Sequence, residues 1–264
     1  MKNYIIEDQF PLQVSRGKVK GAFHVIKFGN NDDIDGSMES VWDAGGLYPW
    51  SSFASAGTVV LTSTSTEDDE DKGGGVAGTG AHRVVIEGLD ENYELVTDTL
   101  ITNGTSTRTS TVEFLRVFRA YVSEAGTTGT NEGTITITKG GTTIAQIGTA
   151  GSPTATGLGQ TFMSVYTVPA GYTGYIHQFN ASTAKADGDI FLMQREEDAT
   201  WRARDIIHTN QNSVERTYKF PLKLNEKTDI DIRALSPTNN MKCAVTFCIL
   251  LLKNDTPIPN GTGG

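Results

Sequence analysis

The chain has 264 residues, 37% of them hydrophobic, and carries 31 acidic against 22 basic side chains, for a net charge of −9 and a pI near 4.9. That length holds one large domain or two of ordinary size, and the acidic balance argues against a surface built to grip nucleic acid, which needs Lys and Arg to displace counterions from phosphates. Two cysteines exclude a disulfide scaffold and a four-cysteine zinc site, and 29 glycines without a three-residue period exclude collagen.

Residues 1–30 read as an extended N-terminal arm with one or two strands, the stretch 19–28 alternating loosely before Gly29. The first residues carry no apolar segment of the kind that heads a secretory signal. No run approaches the ~18 apolar residues of a membrane span. The expectation is a protein made in a cytoplasm, with neither membrane nor nucleic acid as partner. The polar stretch 31–36, NDDIDG, opens like a calcium loop, with Asn31, Asp33 and Asp35 as alternating oxygen donors. The bidentate Glu that closes such a cage belongs at the twelfth position, and that position is Trp42. A polar turn is expected instead; no metal site and no cofactor is assigned, Asn31, Asp33 and Asp35 standing as weak candidates.

Residues 41–53 gather Trp42, Tyr48, Trp50 and Phe53 around Gly45, Gly46 and Pro49, which keep the segment from being a regular strand. Rings in irregular chain plug the end of a sandwich, anchor a subunit interface or stack on sugar. Trp and Tyr dominate interface hot spots, so these four are the interface candidates. A strand is expected at 58–63. The acidic run 66–75 reads as a solvated loop, because blocks of like charge repel. The glycines at 73–80 lack the Gly-Lys-Ser/Thr ending of a phosphate-binding loop.

Strands follow at 81–87 and 94–101, joined by Gly, Asp and Asn turn chemistry, and at 112–122. Residues 134–138 and 142–147 flank Lys139-Gly140-Gly141 in a hairpin signature. Residues 148–160 hold few large apolar groups and are the candidate linker. Strands resume at 162–168, 172–179, 190–195, 201–208, 215–220, 228–234 and 242–253, with turn signals roughly every 8–12 residues, as in a sandwich or barrel. Cys243 and Cys248 share the last strand on opposite faces, since their separation is odd, and read as buried free thiols. The tail 254–264 is rich in Pro and Gly.

β-Branched residues recur throughout, which favours pleated sheet over helix, and no stretch keeps helical periodicity beyond about two turns. The fold expectation is all-β: an arm (1–30), a first β-sandwich-like unit (31–150), a second, jelly-roll-like unit (161–253) and a tail (254–264), the two units being tandem antiparallel sandwiches. His24, His82, His177 and His208 lie in separate strands and in no nucleophile motif. The acids at 187–198 fall near turns, without the raised pKa and set separation of a glycosidase pair. No catalytic residue is assigned, and the chain reads as a non-enzyme.

Five segments carry a resemblance: 41–50 (VWDAGGLYPW), 78–93 (GTGAHRVVIEGLDENY), 114–121 (FLRVFRAY), 166–172 (YTVPAGY) and 220–233 (FPLKLNEKTDIDIR). Together they resemble virion structural proteins of tailed phages that infect marine and other aquatic bacteria, a resemblance that extends over most of residues 20–250. The resemblance implies a virion subunit without catalytic residues, assembled in the host cytoplasm. Its implied partners are copies of itself, in threefold or fivefold rings, and the major capsid protein or other virion proteins. A capsid decoration (cement) role leads; a tail, collar or fibre-base subunit for host attachment, and a glycan-binding module, are the alternatives.

Overall fold

The computed structural model describes residues 10–149, 157–238 and 240–254. Most of the expected linker and tail, and the first nine residues of the arm, lie outside the described residues. Seven strands fall in the middle of the chain: β3 (Val60–Ser63), β4 (Ala81–Leu89), β5 (Leu95–Ile101), β6 (Arg108–Thr109), β7 (Arg116–Ala125), β8 (Ile135–Lys139) and β9 (Thr142–Ile147). Before them come a short helix, α1 (Phe10–Ser15), then β1 (Ala22–Ile34) and β2 (Glu39–Ser40). After them come β10 (Val165–Thr167), β11 (Tyr172–Ala184), β12 (Asp187–Arg195), β13 (Arg202–Asn210), β14 (Ser213–Leu224), β15 (Asp229–Leu235) and β16 (Met241–Lys253). The chain is all-β, and its described residues form four antiparallel sheets.

Hairpin chemistry sets much of the local pairing. β8 and β9 turn through Gly140 and Gly141, both at positive φ, the conformation a two-residue hairpin loop demands. β4 and β5 turn through 90–93, where the Asp90 carboxylate accepts the backbone N–H groups of Asn92 and Glu94.

The middle strands form sheets ordered β6-β3-β8-β9 and β5-β4-β7. Between them lies one apolar core that includes Leu61, Val84, Ile86, Phe114, Ile137 and Ile147. The remaining strands form sheets ordered β1-β16-β11-β14 and β10-β15-β12-β13, with β2 added to β15. Their shared core includes Ile176, Phe179, Leu192, Ile232, Phe247 and Ile249, each worth about 1.5–3 kcal/mol in burial.

In this outer set the strands pair in nested fashion. β1 pairs with β16, β10 with β15, β11 with β14 and β12 with β13. The middle unit interrupts that series between β1 and β10. It leaves at Trp42 and returns at Met163, which bridge each other, and Ser164 N–H donates to Val41 O at 3.1 Å. Entry and exit therefore lie side by side.

The strand expected within the arm is present but runs on through the expected polar loop: residues 22–34 are one strand of 13 residues along β16. A register shift between Asn31 and Ile34 makes this possible by leaving Asp32 and Asp33 facing solvent while Asn31 and Ile34 stay buried. Gly29 is required here, since a Cβ would sit 2.1 Å from Val41 O and 2.7 Å from Ser164 N, both backbone atoms. The acidic run is not wholly solvated either. Asp68 is fully buried and accepts the N–H groups of Ala81, Glu132 and Gly133 and the hydroxyl of Ser63. Four donors on one carboxylate tie the acidic segment to the end of β3, the start of β4 and the loop before β8.

Candidate functional site

The densest polar constellation lies where the two cores meet. Asp229, at the start of β15, is buried and receives Arg116 from β7 (Nε 3.0 Å, Nη2 3.3 Å), Arg195 from β12 (Nε 3.1 Å, Nη2 2.5 Å) and the Thr167 hydroxyl (2.6 Å). Two guanidinium groups on one carboxylate satisfy both oxygens. Arg116 also donates to the carbonyl of Phe53, so a single side chain joins three segments. Two residues on, buried Asp231 accepts Ser40 Oγ (3.1 Å), Trp50 Nε1 (3.0 Å) and Arg233 Nε (2.8 Å), all on Oδ2. Its Oδ1 has no partner. Burial raises its pKa, with the Arg233 charge opposing.

The aromatic residues at 42–53 close around this knot. Tyr48 stands edge-on to Trp42 (5.1 Å between centroids) and Trp50 (5.0 Å) and stacks on Phe53 (5.6 Å). All four rings are buried in the chain's own core, and their polar tips are engaged: Trp42 Nε1 to Gly46 O, Tyr48 Oη to Val117 O. This corrects the expectation that Trp42, Tyr48, Trp50 and Phe53 offer an interface to another subunit, because rings this deeply packed present no face. The irregular segment plugs the joint, with Trp50 meeting Trp201 at 5.2 Å and Arg195 lying over both indoles.

Of Asn31, Asp33 and Asp35, the first and the third use their side chains within the chain. The Asn31 amide donates to Glu39 and to Ser40 O and its oxygen accepts Asp33 N–H, while Asp35 caps the turn at Ser37. The arginines at 195–204 are likewise engaged within the chain, with Asp229, Glu196 and Gln194.

Two buried ionisable groups stand apart from the knot. Lys27 of β1 donates to Phe118 O of β7 beside a cavity of about 480 Å³ that Glu87, Arg119 and Tyr166 also line. Burial, with Arg119 adding repulsion, pushes its pKa down to about 7. Burial pushes the Asp43 carboxyl up to about 7, against the N–H of Phe162 that it accepts at 3.3 Å.

The structure also brings together two of the four histidines. His24 and His177 meet with Nε2 atoms 3.0 Å apart, and Cys248 lies beside them. Sequence separations of 153 and 71 residues hide this cluster, since only the sheet register joins β1, β11 and β16.

No protein-family model matches the chain and no curated protein is similar to it. Among solved structures, the Yersinia pseudotuberculosis-derived mitogen overlaps at 9% identity over 37% of this chain and 90% of that one, with a TM-score of 0.17. The VP2 subviral particle of infectious bursal disease virus overlaps at 9% identity over 75% of this chain and 56% of that one, with a TM-score of 0.19. The Gx strain of the same virus gives 8% identity over 88% and 76%, with a TM-score of 0.18. Overlaps this loose carry no argument about common fold or function.

Proposed function

We propose that the chain is a non-catalytic structural subunit of a tailed-phage virion, acting as a capsid decoration protein. The observation that carries this is the nested pairing of eight strands, first with last and inward to the central hairpin. We read that order as the wrapping of a jelly roll, a shape that capsid and lectin domains share. On this reading the middle unit is an insertion between the first two jelly-roll strands. Because fold alone does not assign function, the reading rests equally on the five segments that resemble phage virion proteins.

The Asp229 knot supports a structural role. Asp229 is saturated by two arginines and a hydroxyl, which leaves it no lone pair to take a substrate proton, as a general base must. Sheet edges are also guarded. β14 ends its sheet and carries Lys219, Lys223 and Pro221, residue types that discourage uncontrolled strand addition. Assembly would then run through side chains, and Phe220 (82% exposed) and Ile26 (56%) are available for it.

The test is the mass of the full chain in solution, by analytical ultracentrifugation across a wide concentration range. A closed homo-oligomer is expected, with an interface above about 1,000 Å². A chain that stays monomeric and binds glycans on an array would overturn the decoration role in favour of a lectin.

A further inference from the structure

On the sheet β1-β16-β11-β14, one face covers the core and the other looks outward. In β16 the core face is Cys243, Val245, Phe247, Ile249 and Leu251. Cys248 therefore points the other way, with Leu250. Register places Ile26 opposite Cys248 and His24 opposite Leu250, so β1 sends His24 to the same outer face. On the other side of β16, β11 carries a bulge: Ile176 pairs with Ile249 and Gln178 with Cys248, leaving His177 as the extra residue. Ile176 and Phe179 are buried while His177 and Gln178 are both part-exposed. The bulge thus presents two consecutive side chains outward against the single residue Cys248, which is how bulges re-aim side chains. β14 is irregular at the same point, its register with β11 shifting between Ile176 and Gln178.

We propose that His24, His177 and Cys248 bind a divalent transition-metal ion of the zinc type. Two imidazoles and a thiolate are borderline and soft donors; they suit zinc and its neighbours and not calcium or magnesium, which want oxygen. The donor atoms lie within 4.8 Å of one another, the two Nε2 atoms at 3.0 Å. A tetrahedral zinc, with bonds of about 2.0–2.1 Å to nitrogen and 2.3 Å to sulfur, sets nitrogens roughly 3.3 Å apart and sulfur roughly 3.6 Å from each. The imidazoles need to part by a few tenths of an ångström. Sγ needs a side-chain rotation away from Gln178 Oε1, its present neighbour at 3.8 Å.

The present contact is one N–H donating to the other ring. On binding, the ring that carries its proton on Nε2 passes it through solvent to its own Nδ1, both Nε2 lone pairs form metal–nitrogen bonds in place of the hydrogen bond, and Cys248 releases its thiol proton to solvent as the metal–sulfur bond forms. The fourth position opens toward a cavity of about 290 Å³ between α1 and the sheet, lined by Phe10, Pro11, Val14, Tyr175 and Pro221, and takes a water molecule. The ion would tie β1 to β16 and β11, independently of how copies of the chain assemble.

The experiment uses the untagged full chain, reduced and freed of metal with chelator, titrated with Co²⁺ and then Zn²⁺. One Co²⁺ per chain is expected, with the intense thiolate-to-cobalt absorption of a sulfur-ligated site and displacement by Zn²⁺. Cys248→Ser should abolish that absorption. His24→Gln and His177→Gln should each weaken Zn²⁺ binding roughly tenfold or more. Cys243→Ser and His82→Gln should change nothing. A chain of natural sequence that shows no thiolate-to-cobalt band would overturn the proposal even if every variant failed to fold. Zn²⁺ affinity untouched by both His→Gln variants would do the same.

Discussion

Lys27 and Asp43 are buried ionisable groups whose pKa values both move to about 7, and they act on stability in opposite pH ranges. Lys27 loses its proton in the folded chain near 7 but near about 10.4 when unfolded. The cost of burying its charge is full below pH 7 and shrinks as pH rises toward 10. Asp43 ionises at about 3.9 when unfolded, so its cost grows as pH rises from there and is full above 7. Lys27→Met should therefore stabilise by on the order of a few kcal/mol at pH 6, and by much less at pH 10. Asp43→Asn should be near neutral at pH 4 and stabilising at pH 8. Urea denaturation of each variant across that range reads both, and pH-independent differences would sink the assignment. At the joint, Asp229→Asn leaves Arg116 under-neutralised in a buried position and should cost about 3–5 kcal/mol in the same measurement. Some of this was legible: Cys243 and Cys248 do occupy opposite faces, as an odd spacing requires. The meeting of His24 with His177 was not, because no local pattern encodes which strands become neighbours across 153 residues.

Among the elements, hairpins were the easiest to read and β1 the hardest. Lys139-Gly140-Gly141 and the turn at 90–93 announce themselves through residues that tolerate positive φ. The stretch 31–36 looks like a loop by composition, yet a bulge lets a strand run through it as far as Ile34. Likewise Asp68 is indistinguishable in sequence from its exposed acidic neighbours until three N–H donors from elsewhere in the chain converge on it. The same strand offers a direct test. Were β1 dispensable, deletion of 1–34 would leave a soluble protein. Because β1 covers the length of β16, removing it exposes a long apolar edge, and such edges aggregate. Deletion of 1–34 should give insoluble or polydisperse material, measured by soluble yield and light scattering. A monodisperse, cooperatively folding product would refute the strand.

At the scale of the molecule, chain order and spatial order diverge. Two tandem units were the natural expectation from a glycine-rich linker and a restart of strand signals. The sheets instead place β1 with the C-terminal strands, so the middle unit enters and leaves through the adjacent segments at Trp42 and Met163. Paired crossing points, with Arg116, Asp229 and Arg195 locked across the joint, favour one stiff body over two units on a hinge. Stiffness of that kind suits a subunit placed many times on a shell, where each copy must present the same surface. We propose that this chain is a repeated virion subunit on the head. Quantitative mass spectrometry of purified phage particles, scaled to the major capsid protein, tests it most directly. Hundreds of copies per particle are predicted; a dozen or fewer, or none, would contradict the decoration role.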